Sequence, residues 1–122
     1  MAITALATEA MEQSSYFIDV DFLDEDGAAV SPNASTIAWT LTDSAGNVIN
    51  GRDNEAETSA ASITIELEGA DLAIQTVETG AIIRRHLTVV WEYDSILGND
   101  KPGSAECVFM IRNLRRMPAT IA

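Results

Sequence analysis

Five stretches of this chain alternate apolar and polar residues with a period of two, and none sustains a 3.6-residue period. Successive side chains of a strand point to opposite faces, so this alternation marks strands with one face buried. In the first stretch Tyr16, Ile18, Val20 and Phe22 point one way and Ser15, Asp19 and Asp21 the other, with Phe17 out of step. From Thr36 to Thr42 the inward set is Ile37, Trp39 and Leu41; from Ser62 to Leu67 it is Ile63, Ile65 and Leu67. The longest run, Ile82 to Tyr93, places Leu87, Val89, Trp91 and Tyr93 against His86, Thr88 and Glu92, with Val90 among the latter. The last, Ala105 to Leu114, turns Cys107, Phe109 and Ile111 inward.

Turn chemistry separates these runs. Asp24-Glu25-Asp26-Gly27 closes the first, and Asp43-Ser44-Ala45-Gly46-Asn47 forms a hairpin loop before Val48 and Ile49. Asp94 to Gly103, with Gly98-Asn99-Asp100 and Pro102-Gly103, reads as a turn region. Ala28 to Ser31 and part of Arg52 to Ala61 are expected to add short strands, and Gly69 to Ile74 a single helical turn. The pattern predicts an all-β chain, specifically an immunoglobulin-like Greek-key β-sandwich of about seven strands. Trp39 and Trp91 are its expected core anchors. The sandwich is expected over residues 14–114, flanked by a flexible N-terminal arm (1–13) and C-terminal tail (115–122).

Charge narrows the function. Seven Lys and Arg stand against 19 Asp and Glu, a net charge of −12. Nucleic-acid and anionic membrane binding both rest on basic residues, so neither partner is expected. No apolar run approaches the roughly 20 residues that span a bilayer. Residues 1–80 carry −14 and residues 81–122 carry +2, which leaves Arg84, Arg85, Arg112, Arg115 and Arg116 as most of the positive charge. An acidic flank meeting a basic one on a neighbouring copy is a plausible means of assembly. With Cys107 as its only cysteine the chain forms no intrachain disulfide, and Met1 to Gln13 lacks a basic leader region. Synthesis in a reducing cytoplasm is the reading that follows.

The inventory for catalysis is poor, and no cofactor or enzymatic activity is expected. The single histidine, His86, falls on the outward face beside Arg84 and Arg85, whose charges would disfavour its cation. No metalloprotease, paired-cysteine or phosphate-loop motif is present. The one metal candidate is a weak calcium site at Asp19, Asp21, Asp24 and Asp26, next to Glu25. Calcium takes six to eight oxygens from a compact loop, and this spacing departs from the EF-hand pattern. A charged strand face followed by a turn is the simpler account. Cys107 is expected to pack as a small hydrophobe.

The terminal segments carry apolar side chains with no strand of their own to join. Ile3, Leu6 and Met11 at one end, and Arg115, Arg116, Met117 and Ile121 at the other, are the expected assembly contacts. An arm that orders on a neighbouring subunit offsets its ordering entropy with contact area.

The runs FIDVDFLDEDGAAVSP, TIAWTLTDSAGNVIN, SITIELEGADLAI, RRHLTVVWEYDS and FMIRNL cover Phe17 to Leu114. Together they resemble small phage and prophage virion proteins with an immunoglobulin-like fold, most specifically in W-T-L-T-D-x-x-G-N-V-I-N. The resemblance implies a non-enzymatic virion component, made in the host bacterial cytoplasm. It would assemble with major capsid, neck or tail proteins and form a homo-oligomer there, as a head decoration (cement) or neck subunit first and a tail component second. The alternative is an immunoglobulin-like, tail-associated module that recognises a carbohydrate or host surface through its loops.

Overall fold

The computed structural model describes residues 2–5, 9–75, 78 and 80–114, residues 2–5 by backbone alone. Among them eight strands form: β1 (Ala2–Ala5), β2 (Ala10–Met11), β3 (Ser15–Asp21), β4 (Ala38–Thr42), β5 (Glu55–Ala56), β6 (Ser62–Glu68), β7 (Ile82–Ser95) and β8 (Gly98–Arg112). A single 3-10 turn, Gly69–Leu72, is the only helix of the described residues. The all-β expectation therefore holds, and each long alternating run becomes a strand.

The strands divide unequally. A large mixed sheet runs β1-β8-β7-β4-β5, with β2 also on β8; a small antiparallel sheet consists of β3 and β6. Between the two lies the core. The small sheet contributes Tyr16, Ile18, Ile65 and Leu67; the large sheet contributes Trp39, Leu41, Leu87, Val89, Trp91, Phe109 and Ile111. These are the inward positions of the alternation. Tyr16 stacks on Phe109 with ring centroids 5.0 Å apart, and Phe22 meets Trp91 edge-on at 4.8 Å. Such pairs contribute about 0.5–1.5 kcal/mol beyond the area they bury.

Three features differ from the sequence reading. First, Asp94 to Gly103 is mostly strand: β7 and β8 continue as one long hairpin, with Ile96 and Leu97 at its tip. Asn33 holds this extension, donating from Nδ2 to Asp94 Oδ1 at 3.0 Å and to Asp100 Oδ1 at 2.9 Å. Gly103 lies opposite Trp91, where an added Cβ would overlap the indole, so this glycine makes room for a side chain rather than a turn. Pro102 precedes the start of the β1 pairing at Ala105, where β8 has a neighbour on one side only. A missing N–H is tolerated at such an edge.

Second, the N-terminal segment contributes to the sheet. Ala2–Ala5 pairs in parallel with Ala105 to Val108, and Ala10–Met11 with Ile111 and Arg112. Ala10 is buried in the core.

Third, Arg85 faces inward. It occupies the same alternating set as Leu87 and Val89 and is 0% exposed. Its guanidinium donates to both oxygens of Glu78 at 2.6 Å and to the Ala73 carbonyl at 3.2 Å. A second buried charge, Asp71, is also fully enclosed. It accepts from Arg52 Nε at 2.7 Å, Asn50 Nδ2 at 2.9 Å and the Glu68 N–H at 3.1 Å. Arg52 also lies over the Trp39 ring, 5.6 Å from its centroid. One pair ties the Glu78 loop to β7, and the other ties the Arg52 loop to the 3-10 turn.

Candidate functional site

The most distinctive surface is a groove between the edge of the small sheet and the large one. β3 pairs with β6 on one side, and among the described residues no strand pairs with its other edge. The large sheet extends past that edge through β8 and β1. The result is a groove of about 290 Å³. Its floor is Leu87, Val89, Ala105 and Cys107, and one wall is Ile18, Val20 and Leu23. Ala105, Cys107 and Val20 point toward the core yet remain only half-buried, and Leu23 is exposed. Among the described residues the small sheet is thus one strand too narrow to cover the large one. Asp19 and Asp21 of β3 and Glu106 of β8 also border it, with their carboxylates turned to the outer faces: toward Thr64 and Ser62, and toward His86.

Cys107 sits in this groove as a free thiol. Burial, with a smaller push from Glu106, raises its pKa to about 11. It is therefore a thiol at neutral pH, far from the activated thiolate of a nucleophilic cysteine. Its packing as a small hydrophobe agrees with the sequence reading, except that it is half-buried and borders an open surface.

His86 lies on the outer face of the large sheet, as the alternation predicts. Its surroundings differ from the sequence reading, however. The Arg85 side chain points to the opposite face, and the nearest charged partner is Glu106, with His86 Nδ1 3.2 Å from Glu106 Oε1. Glu106 thus contacts the ring, and of the two arginines only Arg84 shares its face of the sheet.

The acidic run separates into two groups. Asp24, Glu25 and Asp26 bring one carboxylate oxygen each to within 4.8 Å of one another. Asp24 Oδ1 accepts the backbone N–H groups of Asp26 at 2.9 Å and Ala28 at 3.0 Å, an ordinary Asx turn. Glu25 Oε1 accepts from Tyr93 Oη at 3.3 Å and Ser95 Oγ at 2.9 Å, so this turn docks on the long hairpin close to its tip. Asp19 and Asp21 are not part of the cluster. They accept from Thr64 Oγ1 and Ser62 Oγ, both at 2.7 Å, across the outer face of the small sheet. Calcium ligation by Asp19, Asp21, Asp24 and Asp26 together is thus not the arrangement formed.

Comparison with protein-family models, curated proteins and solved structures returns no match. Function has to be read from the surface itself.

Of the expected assembly contacts, Ile3 lies in β1 with its backbone opposite Glu106, and Met11 is half-exposed in β2. Leu6, Arg115, Arg116, Met117 and Ile121 lie outside the described residues. Two apolar features escaped the sequence reading. Ile96 is 94% and Leu97 68% exposed at the tip of the β7–β8 hairpin. Phe17, out of step in its alternation, is 60% exposed on the outer face of the small sheet opposite Glu66. The phase break at Phe17 and the Ile-Leu pair inside a turn-like stretch were the available signals.

Proposed function

We propose that this chain is a non-enzymatic phage virion subunit, an immunoglobulin-like sandwich that joins other copies and other virion proteins. A head decoration or neck position comes first, with a tail position second. The observation that carries the reading is one flank: a β3 edge that no described residue pairs with, beside an apolar groove. An unpaired edge next to exposed apolar surface favours strand addition by another polypeptide. The apolar hairpin tip adds a second contact element. The phage assignment itself rests on the sequence resemblance, and the immunoglobulin-like topology remains part of this proposal. The test is to incubate the purified full chain with assembled heads and with assembled tails, then sediment the particles. Co-sedimentation with one of them at saturable stoichiometry supports the reading and places the protein. A chain that stays in the supernatant with both overturns it.

Phe17 favours a second reading, a module that recognises a carbohydrate or host surface. An exposed aromatic ring beside Glu66 and Asp19 is the type of platform on which a sugar face stacks. Binding on a glycan array that Phe17→Ala abolishes would support it, and an array without signal removes it.

A further inference from the structure

We infer that the groove beside β3 receives the C-terminal segment of a second copy of this chain, residues 116–121, as a third strand of the small sheet. The inference builds on the assembly reading above, but its test needs only the purified chain.

The segment fits the groove in pattern. Arg116 to Ile121 reads R-M-P-A-T-I, in which Met117, Ala119 and Ile121 alternate with Arg116, Pro118 and Thr120. As a strand it would place three apolar side chains on one face. That face matches the floor formed by Leu87, Val89, Ala105 and Cys107. In a strand, residues two apart also turn their N–H groups to the same side. Met117, Ala119 and Ile121 would then bond to β3 while Pro118, which has no N–H, faces away from it. Proline is tolerated in an edge strand on those terms.

Charge points the same way. Asp19 and Asp21 flank the groove on the outer face, held by the hydroxyls of Thr64 and Ser62 and by no cation among the described residues. Arg116 would stand on that same outer face of the widened sheet, with Arg115 beside it. Opposite charges on neighbouring strands attract and favour this register. In a chain of net charge −12, two adjacent arginines are the strongest local cation in the sequence outside Arg84-Arg85. Arg85 of that other pair is buried on Glu78. The hairpin tip is the competing occupant, but Asp94 and Asp100 flank it and would bring like charge to the acidic rim.

Reach assigns the segment to a second copy. β3 and β8 run in opposite directions past each other, with Tyr16 at the level of Phe109 and Val20 near Ala105. Leu114 therefore lies seven residues beyond Cys107, about 23 Å along β8 at roughly 3.3 Å per residue. Met117 follows Leu114 by three residues, which span about 10 Å at most. In its own groove the segment could bring no more than its last residues to the level of Cys107. A neighbouring copy can lay all of it there. Such a head-to-tail contact is heterologous, and copies joined in this way close into a ring or continue as a filament.

The native thiol supplies the probe. With Ala119→Cys in the full chain, mild oxidation with diamide should join position 119 to Cys107 of the next molecule. A disulfide needs Cα atoms about 4.4–6.8 Å apart, so the bond reports residue-level contact. The expected result is a ladder of dimers and higher species on non-reducing gels. Cys107→Ser in the same background should abolish it, and Arg115→Glu with Arg116→Glu should weaken it severalfold. Near-ultraviolet circular dichroism verifies that each variant keeps the fold. A disulfide confined to monomers would show the segment in its own groove and overturn the inference. Two free thiols after oxidation of the folded protein would overturn it equally. Neither result bears on whether the chain sediments with heads or tails, so the two proposals fail separately.

Discussion

Arg85 and Asp71 are the two residues on which the loops depend most. Each is a charge with 0% exposure, made tolerable by several partners. Removing one member of a buried pair leaves the other charge desolvated and unpaired, typically at a cost of about 3–5 kcal/mol. Arg85→Ala is therefore expected to lower stability by about that amount, and Arg85→Met by less because it refills the volume; urea unfolding midpoints check both. The same pairs set the response to acid. The hydrogen bonds from Arg85 hold the Glu78 carboxyl below its ordinary pKa, against the opposing effect of burial. At Asp71 burial pulls the pKa up, but Arg52, Asn50 and the Glu68 N–H together outweigh it and leave it lowered. A depressed folded-state pKa stabilises the protein above the unfolded value, near 4, and that stability is lost as pH falls through the folded value. The melting temperature should thus hold steady from neutral pH to about 5 and drop below 4. Asp71→Asn should lower it at neutral pH and flatten the acid limb.

Arg85 also shows how legibility fails at this scale. Its inward direction follows from the alternation it shares with Leu87, Val89, Trp91 and Tyr93. A charge at the start of a strand reads as surface because its partner, Glu78, sits in a loop that no periodicity places. His86 reads correctly as outward, but its partner Glu106 comes from the register of β7 on β8. Register is a property of two strands together.

At the scale of elements, the five long strands were legible because a two-residue period is a direct imprint of one buried face. The hairpin extension was not. Gly98, Asn99, Asp100, Pro102 and Gly103 are turn formers by composition, yet the strand persists because Asn33 bridges Asp94 and Asp100 and Gly103 leaves space for Trp91. Tertiary contact overrides local preference here. Gly103→Ala should accordingly cost about 1–3 kcal/mol by overpacking against the indole, despite alanine's better fit to a strand. Trp91→Ala should cost about 3–5 kcal/mol. If the two effects arise at one contact, the double variant should fall well short of their sum in thermal unfolding. The groove was not legible either, since the sequence names strands but not how many each sheet receives.

For the whole molecule, the unequal sheets leave one edge of β3 unpaired among the described residues, while buried ion pairs fasten the loops around Asp71 and Glu78. Association should therefore be sensitive to changes at the edge and tip that leave stability untouched. Ile96→Ser with Leu97→Ser removes two side chains that are 94% and 68% exposed. Stability should change by no more than about 0.5 kcal/mol, as for other surface positions. Retention on particles should fall if the tip is one of the contacts, and sedimentation beside a melting curve separates the two effects.

The pairing of β1 and β2 with β8 has a consequence for biosynthesis. Ala2 lies opposite Ala105 and Ala10 opposite Ile111, so β1 and β2 find their neighbour about a hundred residues further along the chain. A ribosome adds roughly 5–20 residues each second, so these strands wait on the order of 5–20 s for that neighbour to be made. Until then β1 and β2 have no β8 to dock on. β8 joins β1, β2 and β7, all made before it, which makes its arrival the step that brings the large sheet together.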